Sequence, residues 1–322
     1  MPVNMDKPEN WGSDMAQSRK DYDKWFFEFA PPVFKEQRVQ AMKDVPNMLK
    51  KTNNLQALEP AILARDPGIV RILRMATTPP IARDRLIALA RVDKNLITSM
   101  EGDEDNAPQT PPQMKGSELT EQLGRVVKTI QRLLDLNVLP WVQPAREPKP
   151  EELGRAVDVL VDRTATAMAN PRIRNAQENR QTNAIGKWLE ARDYKIVPPK
   201  GLQPRTMQAG TFALHMPVKT RTKTKTPKNV SVDVVVMPHG AEAGTLPLLV
   251  EAKAAGDETN TNKRSKEEIE KAGNLREEFG AGIPYIVFLC GYFGEQYLTD
   301  MAGAGVDWVW EHRVSDLQGF GV

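Results

Sequence analysis

The chain has 322 residues, 40 % of them hydrophobic and 27 % charged. That is enough apolar material to bury a sizeable core, which excludes a chain disordered throughout, and the length fits about two domains. Lysine and arginine total 44 against 42 acids, a net charge of +2, so a histone-like polycation is excluded and any nucleic-acid surface must come from local patterning.

In chain order, the start (MPVNMDKPENWGSD) is polar and lacks the apolar core of a signal peptide. No apolar run approaches the ~20 residues that a membrane helix needs. A cytoplasmic protein with no membrane contact is expected. Gly68 to Ala76 and Ile81 to Val92 read as short helices joined by Thr77-Thr78-Pro79-Pro80. Ser117 to Leu136 has apolar residues at three-and-four spacing (Leu119, Leu123, Val126, Val127, Ile130, Leu133), the signature of a one-faced helix. Glu151 to Ala169 repeats the pattern, with Pro171 expected to close it. The stretch from 101 to 115 is acidic and then proline-rich, as in a surface loop, and Pro140 to Pro150 holds four prolines, the best candidate linker, with a loop inside one domain as the alternative.

The second half changes character. Arg172 to Asp193 reads as a helix and Tyr194 to Pro198 as a short β-prone piece. Strands are expected at Thr211 to Val218, Val230 to Met237 (VSVDVVVM), Pro247 to Lys253 (PLLVEAK), Pro284 to Cys290 (PYIVFLC) and Val306 to Trp310, with a charged helix from Lys263 to Phe279. This order argues an α/β layer whose sheet is at least partly parallel. A helical region over 1–165, for dimer contacts or DNA recognition, is expected to precede an α/β core over 166–322.

Acids and lysines are poor choices in strands otherwise built of valine and leucine, because an unpaired buried charge is costly. Asp233 sits mid-strand. In the next strand the period of two puts Glu251 and Lys253 on one face and Val250 and Ala252 on the other. If the two strands form a hairpin across the turn near Gly240 and Gly244, Asp233 and Glu251 converge. Two carboxylates and a lysine suit a hard cation such as Mg²⁺, which polarises a phosphoryl oxygen and lowers the pKa of a bound water. The lysine offsets charge on the pentacoordinate transition state. The plain alternative is a structural ion pair buried in a sheet. Metal chemistry based on soft or imidazole ligands has little footing: Cys290 is the single cysteine, and His215, His239 and His312 lie far apart with no HExxH. The single cysteine also excludes an intramolecular disulfide.

Asp233, Glu251 and Lys253 match the PD-(D/E)XK nuclease signature, although Val232 stands where that signature has its proline. More specifically, the chain resembles the XamI-type type II restriction endonucleases. The stretches that carry the resemblance are DKWFFEFAPPVFKEQR from Asp23, KTNNL from Lys51 and RMATTPPIARDRLIALARVDKNLITSME from Arg74, then VEAKAAGDETNTNKRSKEE from Val250, FLCGYFGEQYL from Phe288 and VDWVWEHRVSDL from Val306. They span nearly the whole chain. The resemblance implies a PD-(D/E)XK mixed-sheet core with flanking helices, preceded by the helical region. It implies Mg²⁺-dependent hydrolysis of double-stranded DNA at a short palindrome, GTCGAC, by a homodimer in a prokaryotic cytoplasm, with a methyltransferase of the same specificity protecting the host. Asp233 and Glu251 would hold the metal and Lys253 assist the water, and Glu178, on the helix before the sheet, is the natural extra acid. Two rivals stay open: a structure-selective repair or recombination nuclease of the same fold, and a DNA-binding protein that is not an enzyme.

Two further segments bear on DNA. In extended conformation Lys219, Arg221, Lys223 and Lys225 share one face and could track phosphates, or form a solvated hairpin tip. After the second active strand, Asn260, Asn262 and Arg264 carry groups that read base edges, while Lys263 and Arg264 read first as phosphate binders; an ordinary polar loop is the alternative.

Overall fold

The computed structural model describes residues 2–103, 106–221, 227–259 and 261–322. Its contacts divide the chain into two compact units, residues 30–172 and residues 1–29 with 173–322.

The unit of residues 30–172 is helical. It takes in the later part of α1 (Pro8–Lys51), then α2 (Pro60–Arg65), α3 (Val70–Met75), α4 (Arg83–Ala90), α5 (Lys94–Glu101), α6 (Gly116–Leu133) and the first part of α7 (Pro150–Glu190). Its core joins Val45, Met48 and Leu49 of α1 to Leu123, Val126 and Ile130 of α6 and Leu160 of α7. The α6 residues are those that the three-and-four spacing had marked as a face. The proline-rich stretch after α6 is not a linker between the units. It lies inside this one, where Trp141 is fully buried and its indole N–H donates to the Asn54 carbonyl at 2.9 Å.

Prolines are poorer helix stops here than expected. Pro171 does not close a helix; α7 runs through it for 41 residues, and α1 contains Pro31, Pro32 and Pro46. A proline inside a helix costs about 3 kcal/mol through its missing N–H and a ring clash. Buried faces on both sides outweigh that: in α7, Ala165 and Ala169 before the proline, Ile185 and Leu189 after it.

The other unit carries a six-stranded mixed sheet in the order β1 (Lys195–Ile196), β2 (Thr211–Arg221), β3 (Pro227–Met237), β4 (Leu248–Ala255), β5 (Tyr285–Gly291), β6 (Asp307–Trp310). β2, β3 and β4 form an antiparallel meander, and β4, β5 and β6 are parallel. The parallel steps need crossovers, which α8 (Thr261–Phe279) and α9 (Glu295–Gly303) supply. Strand residues separate into two faces. Leu249, Tyr285, Val287, Leu289 and Trp308 pack with Ala272 and Leu275 of α8 and with α9. Val234, Val236, Leu248, Val250, Ile286, Phe288 and Val309 pack with Ile185, Trp188 and Leu189 of α7. With both faces covered, β4 and β5 can be near-continuous apolar runs.

Residues 1–29 belong with this sheet. The Asp307 carboxylate accepts the backbone N–H groups of Val3, Asn4 and Met5 at 2.5, 3.1 and 2.9 Å, and Trp11 packs edge-on against Trp308. The sequence of this segment is polar and names no partner, so its attachment rests on long-range contacts alone.

Candidate active site

The site lies where β3 parts from β4. Their ladder pairs Val236 with Leu248, Val235 with Leu249 and Val234 with Val250, and then ends. One step further the same register sets Asp233 opposite Glu251. The split frees the Asp233 side chain, which is only 14 % exposed. Its Oδ2 accepts the Ala252 N–H at 2.8 Å, which fixes the carboxylate to the neighbouring strand. Burial and then the nearby Glu251 charge push its pKa up to about 6. A buried carboxylate that its surroundings leave under-compensated is a favourable place for a cation.

Across the other edge of β3, the β2 ladder pairs Leu214 with Val234 and Met216 with Val232 but skips the step between them, where His215 faces Asp233. His215 has φ +50°, a left-handed conformation that only glycine and a few polar residues adopt readily. Its Nδ1 lies 3.9 Å from Asp233 Oδ1 and 3.9 Å from Glu178 Oε1, with Glu178 reaching in from α7. One donor atom from each of the three falls within 4.8 Å of the others. These spacings are too long for hydrogen bonds. The two 3.9 Å spacings fall within the span open to ligands of one ion, because two ligands each about 2.1 Å from one Mg²⁺ lie at most about 4.2 Å apart. The donor set fits a hard or borderline divalent cation. His215 and Glu178 are 44 % and 51 % exposed, so the corner is open to solvent and substrate.

Glu251 sits on the opposite footing. It is 8 % exposed and both of its oxygens are taken: Oε1 by Lys253 Nζ at 2.9 Å, Oε2 by Lys271 Nζ from α8. Lys253 also binds Glu268 Oε1 at 3.0 Å, and the Tyr285 hydroxyl donates to Glu268 Oε2 at 2.5 Å. The result is a chain of alternating charge between β4 and α8. Burial pulls the Lys253 pKa down, but Glu251 and Glu268 more than offset it and hold it above the usual lysine value. Lys253 is therefore an ammonium at neutral pH. Behind this row Gln181, buried on α7, donates to the Lys253 and Phe288 carbonyls, each at 3.2 Å, and ties the Glu178 helix to the sheet.

The structure thus brings Glu178 to Asp233 and Glu251 to Lys253, on neighbouring strands and one helix. His215, Glu268 and Lys271 were not foreseen. His215 gave no signal, being one histidine in a strand. Glu268 had one: it falls with Thr261, Ser265, Ala272 and Leu275 on the buried face of α8.

Of the residues expected to meet DNA, Lys219 is exposed on β2 and Lys263 on α8, where Lys263 lies 3.7 Å from Glu267. Arg264 donates to the Ala254 carbonyl at 2.7 Å and so braces the end of β4. Lys223, Lys225 and Asn260 lie outside the described residues, and of Arg221 and Asn262 only the backbone is described. Cys290 is buried and bonded to Arg180, and burial first, then Glu311, raises its pKa, so it is core and not a nucleophile.

A paired carboxylate corner with a fixed ammonium beside it is suited to hydrolytic chemistry on a charged ester. Comparison with known proteins makes this specific: the model of the XamI restriction endonuclease family matches residues 53–310, and the chain belongs to that family. It is also 40 % identical over 320 residues, 99 % of each chain, to the type II restriction enzyme SalI of Streptomyces albus G. No solved structure matches the chain. The protein is a site-specific deoxyribonuclease, and DNA is its substrate. Among the described residues no helix is long and apolar enough to cross a membrane.

Proposed function

We propose that this type II deoxyribonuclease hydrolyses double-stranded DNA at the palindrome GTCGAC with Mg²⁺, on a PD-(D/E)XK core. The observation that carries the reading is the gathering of Glu178, His215 and Asp233 within ligand distance of one another, with Glu251 and Lys253 on the adjoining strand, in a chain of a restriction endonuclease family. Family membership leaves no ground for the repair-nuclease or binding-only readings.

Asp233 and Glu251 would hold the ion, with Glu178 and His215 completing the corner. The bound ion supplies Lewis acidity toward the scissile phosphate and a water of lowered pKa. The protein's own groups do the rest. Asp233 is aimed by the Ala252 N–H, which leaves Oδ1 facing His215 and Glu178. Glu251 and Glu268 hold Lys253 as an ammonium in the metal-free protein, so it is assigned no role as a base. It donates hydrogen bonds instead, orienting the water and stabilising negative charge on the pentacoordinate phosphorus. Lys219, Arg221, Lys223, Lys225, Lys263 and Arg264 would supply phosphate contacts, with Asn260 and Asn262 as base readers. A palindromic target is met by a homodimer, since two-fold DNA symmetry matches two-fold protein symmetry. The enzyme would act in a prokaryotic cytoplasm beside a methyltransferase of the same specificity.

The test is digestion of plasmid DNA with and without GTCGAC. Wild-type protein with Mg²⁺ is expected to give discrete fragments only from the plasmid with the site, and Glu251→Ala to cut at least ~10³-fold more slowly. Equal rates overturn the site, and fragments independent of GTCGAC overturn the specificity.

A further inference from the structure

The two lysines on Glu251 are not equivalent. Lys253 has an acid of its own: Glu268 holds it at 3.0 Å and is itself held by Tyr285, so Lys253 stays neutralised if Glu251 turns away. The other contact described for Lys271 is neutral, the Ser231 carbonyl at 2.7 Å. Its charge is balanced by Glu251 alone among the described ion pairs. The four groups Glu251, Glu268, Lys253 and Lys271 are neutral as a set, whereas Glu178 and Asp233 beside them carry two negative charges. With the Lys271 ammonium against Oε2, a divalent ion at that oxygen would meet a like charge a few Å away. The Lys271 side chain is 13 % exposed, and its flexible four-carbon stem lets the ammonium swing away from Glu251.

We propose that Lys271 is a resident cation: it neutralises Glu251 in the metal-free enzyme and gives the carboxylate up when a divalent ion binds. This rests on the reading of Glu251 as a metal ligand. Lys271 then acts as a positioning residue and competes with the ion. Its charge keeps Glu251 folded in place without metal, and the same charge weakens metal binding. Lys253 remains with Glu268 throughout and is in place for the reaction in either state.

The experiment is titration with Mn²⁺ alone, followed by the electron paramagnetic resonance of the free ion, with thermal unfolding measured in parallel. Lys271→Met is expected to lower the Kd for Mn²⁺ by about tenfold, the order of effect of one unit charge a few Å from the ion. It is also expected to lower the metal-free unfolding midpoint, a loss that Mn²⁺ reverses. Lys271→Arg, which keeps the charge, stays near wild type in both. If Lys271→Met does not fold, Lys271→Gln removes the same charge while keeping a donor toward Ser231, and carries the same expectation. A Kd unchanged or raised on loss of the charge overturns the proposal. Glu251→Gln and Asp233→Asn separate it from the reading beneath. If both bind Mn²⁺ as wild type does, the metal site itself is wrong. If both bind weakly and loss of the Lys271 charge does not tighten binding, the role of Lys271 alone fails.

Discussion

Two groups of acids, each joining a strand residue to a helix residue, are treated in opposite ways. At the β2–β3 corner Glu178 and Asp233 face each other across His215 with no lysine or arginine between them, and Asp233 has its pKa pushed up to about 6. At β4 and α8, Glu251 and Glu268 are more deeply buried, yet each is paired with lysine. One group is left short of positive charge and open; the other brings its own cations and is closed. Burial alone therefore does not tell which acids are functional. A carboxylate whose compensation is missing is the better guide, because the fold tolerates that cost only where something else supplies the charge.

The sharpest way to break this contrast is Glu268→Ala. It takes one of two carboxylates from Lys253, which keeps Glu251, and leaves the buried Tyr285 hydroxyl without its acceptor, and a loss of about 3 kcal/mol is expected from chemical denaturation. A loss under about 1 kcal/mol would mean that the closed group is not held together by its pairing. Asp233→Asn should act in the opposite sense on stability. The folded-state pKa of Asp233 lies above its ordinary value of 3.8, so ionisation works against the fold. That penalty is absent below pH 3.8 and complete above pH 6. The variant should therefore be more stable than wild type by about 2 kcal/mol above pH 6 without metal, with no gain at the lowest pH. Denaturant midpoints across pH read this out. Saturating Mg²⁺ should reverse the order by stabilising wild type. The smallest effect is expected from Lys263→Ala on the same helix as Glu268. Its pairing with Glu267 is exposed, and a change within about 0.5 kcal/mol would set the scale against which the buried pairs are read.

Much of the sheet was legible. Val230 to Met237, Leu248 to Lys253 and Tyr285 to Cys290 are β-branched or apolar runs bounded by Pro and Gly, and all are strands. The acids stood out for the same reason, as charges inside such runs. What could not be read depended on distant partners. Pro171 was a local stop signal overridden by packing on both sides of it. Asp307 gathers the backbone of residues 3–5 across the length of the chain, a contact with no local pattern. Lys271 lies in a helix so rich in charge that it looks like the solvated rest, whereas Glu268 could have been picked out by its place on the buried face. His215 owes its place to its backbone angle, which residue identity does not announce.

That angle reaches beyond the corner. Before His215 the odd-numbered residues of β2 point to the α8 side, as Ala213 does; after it the even-numbered ones do, Met216 and Val218. β3 changes over at the same step, with Val235 and Met237 on that side but Val232 beyond. The left-handed residue is a phase switch for the hairpin. With the alternation unbroken, Lys219 would be turned toward the core and Val218 toward water. The shift of one position is what sets Lys219 on the outer face of β2, so the twist that brings a histidine to the acids also decides which side of the strand this lysine stands on.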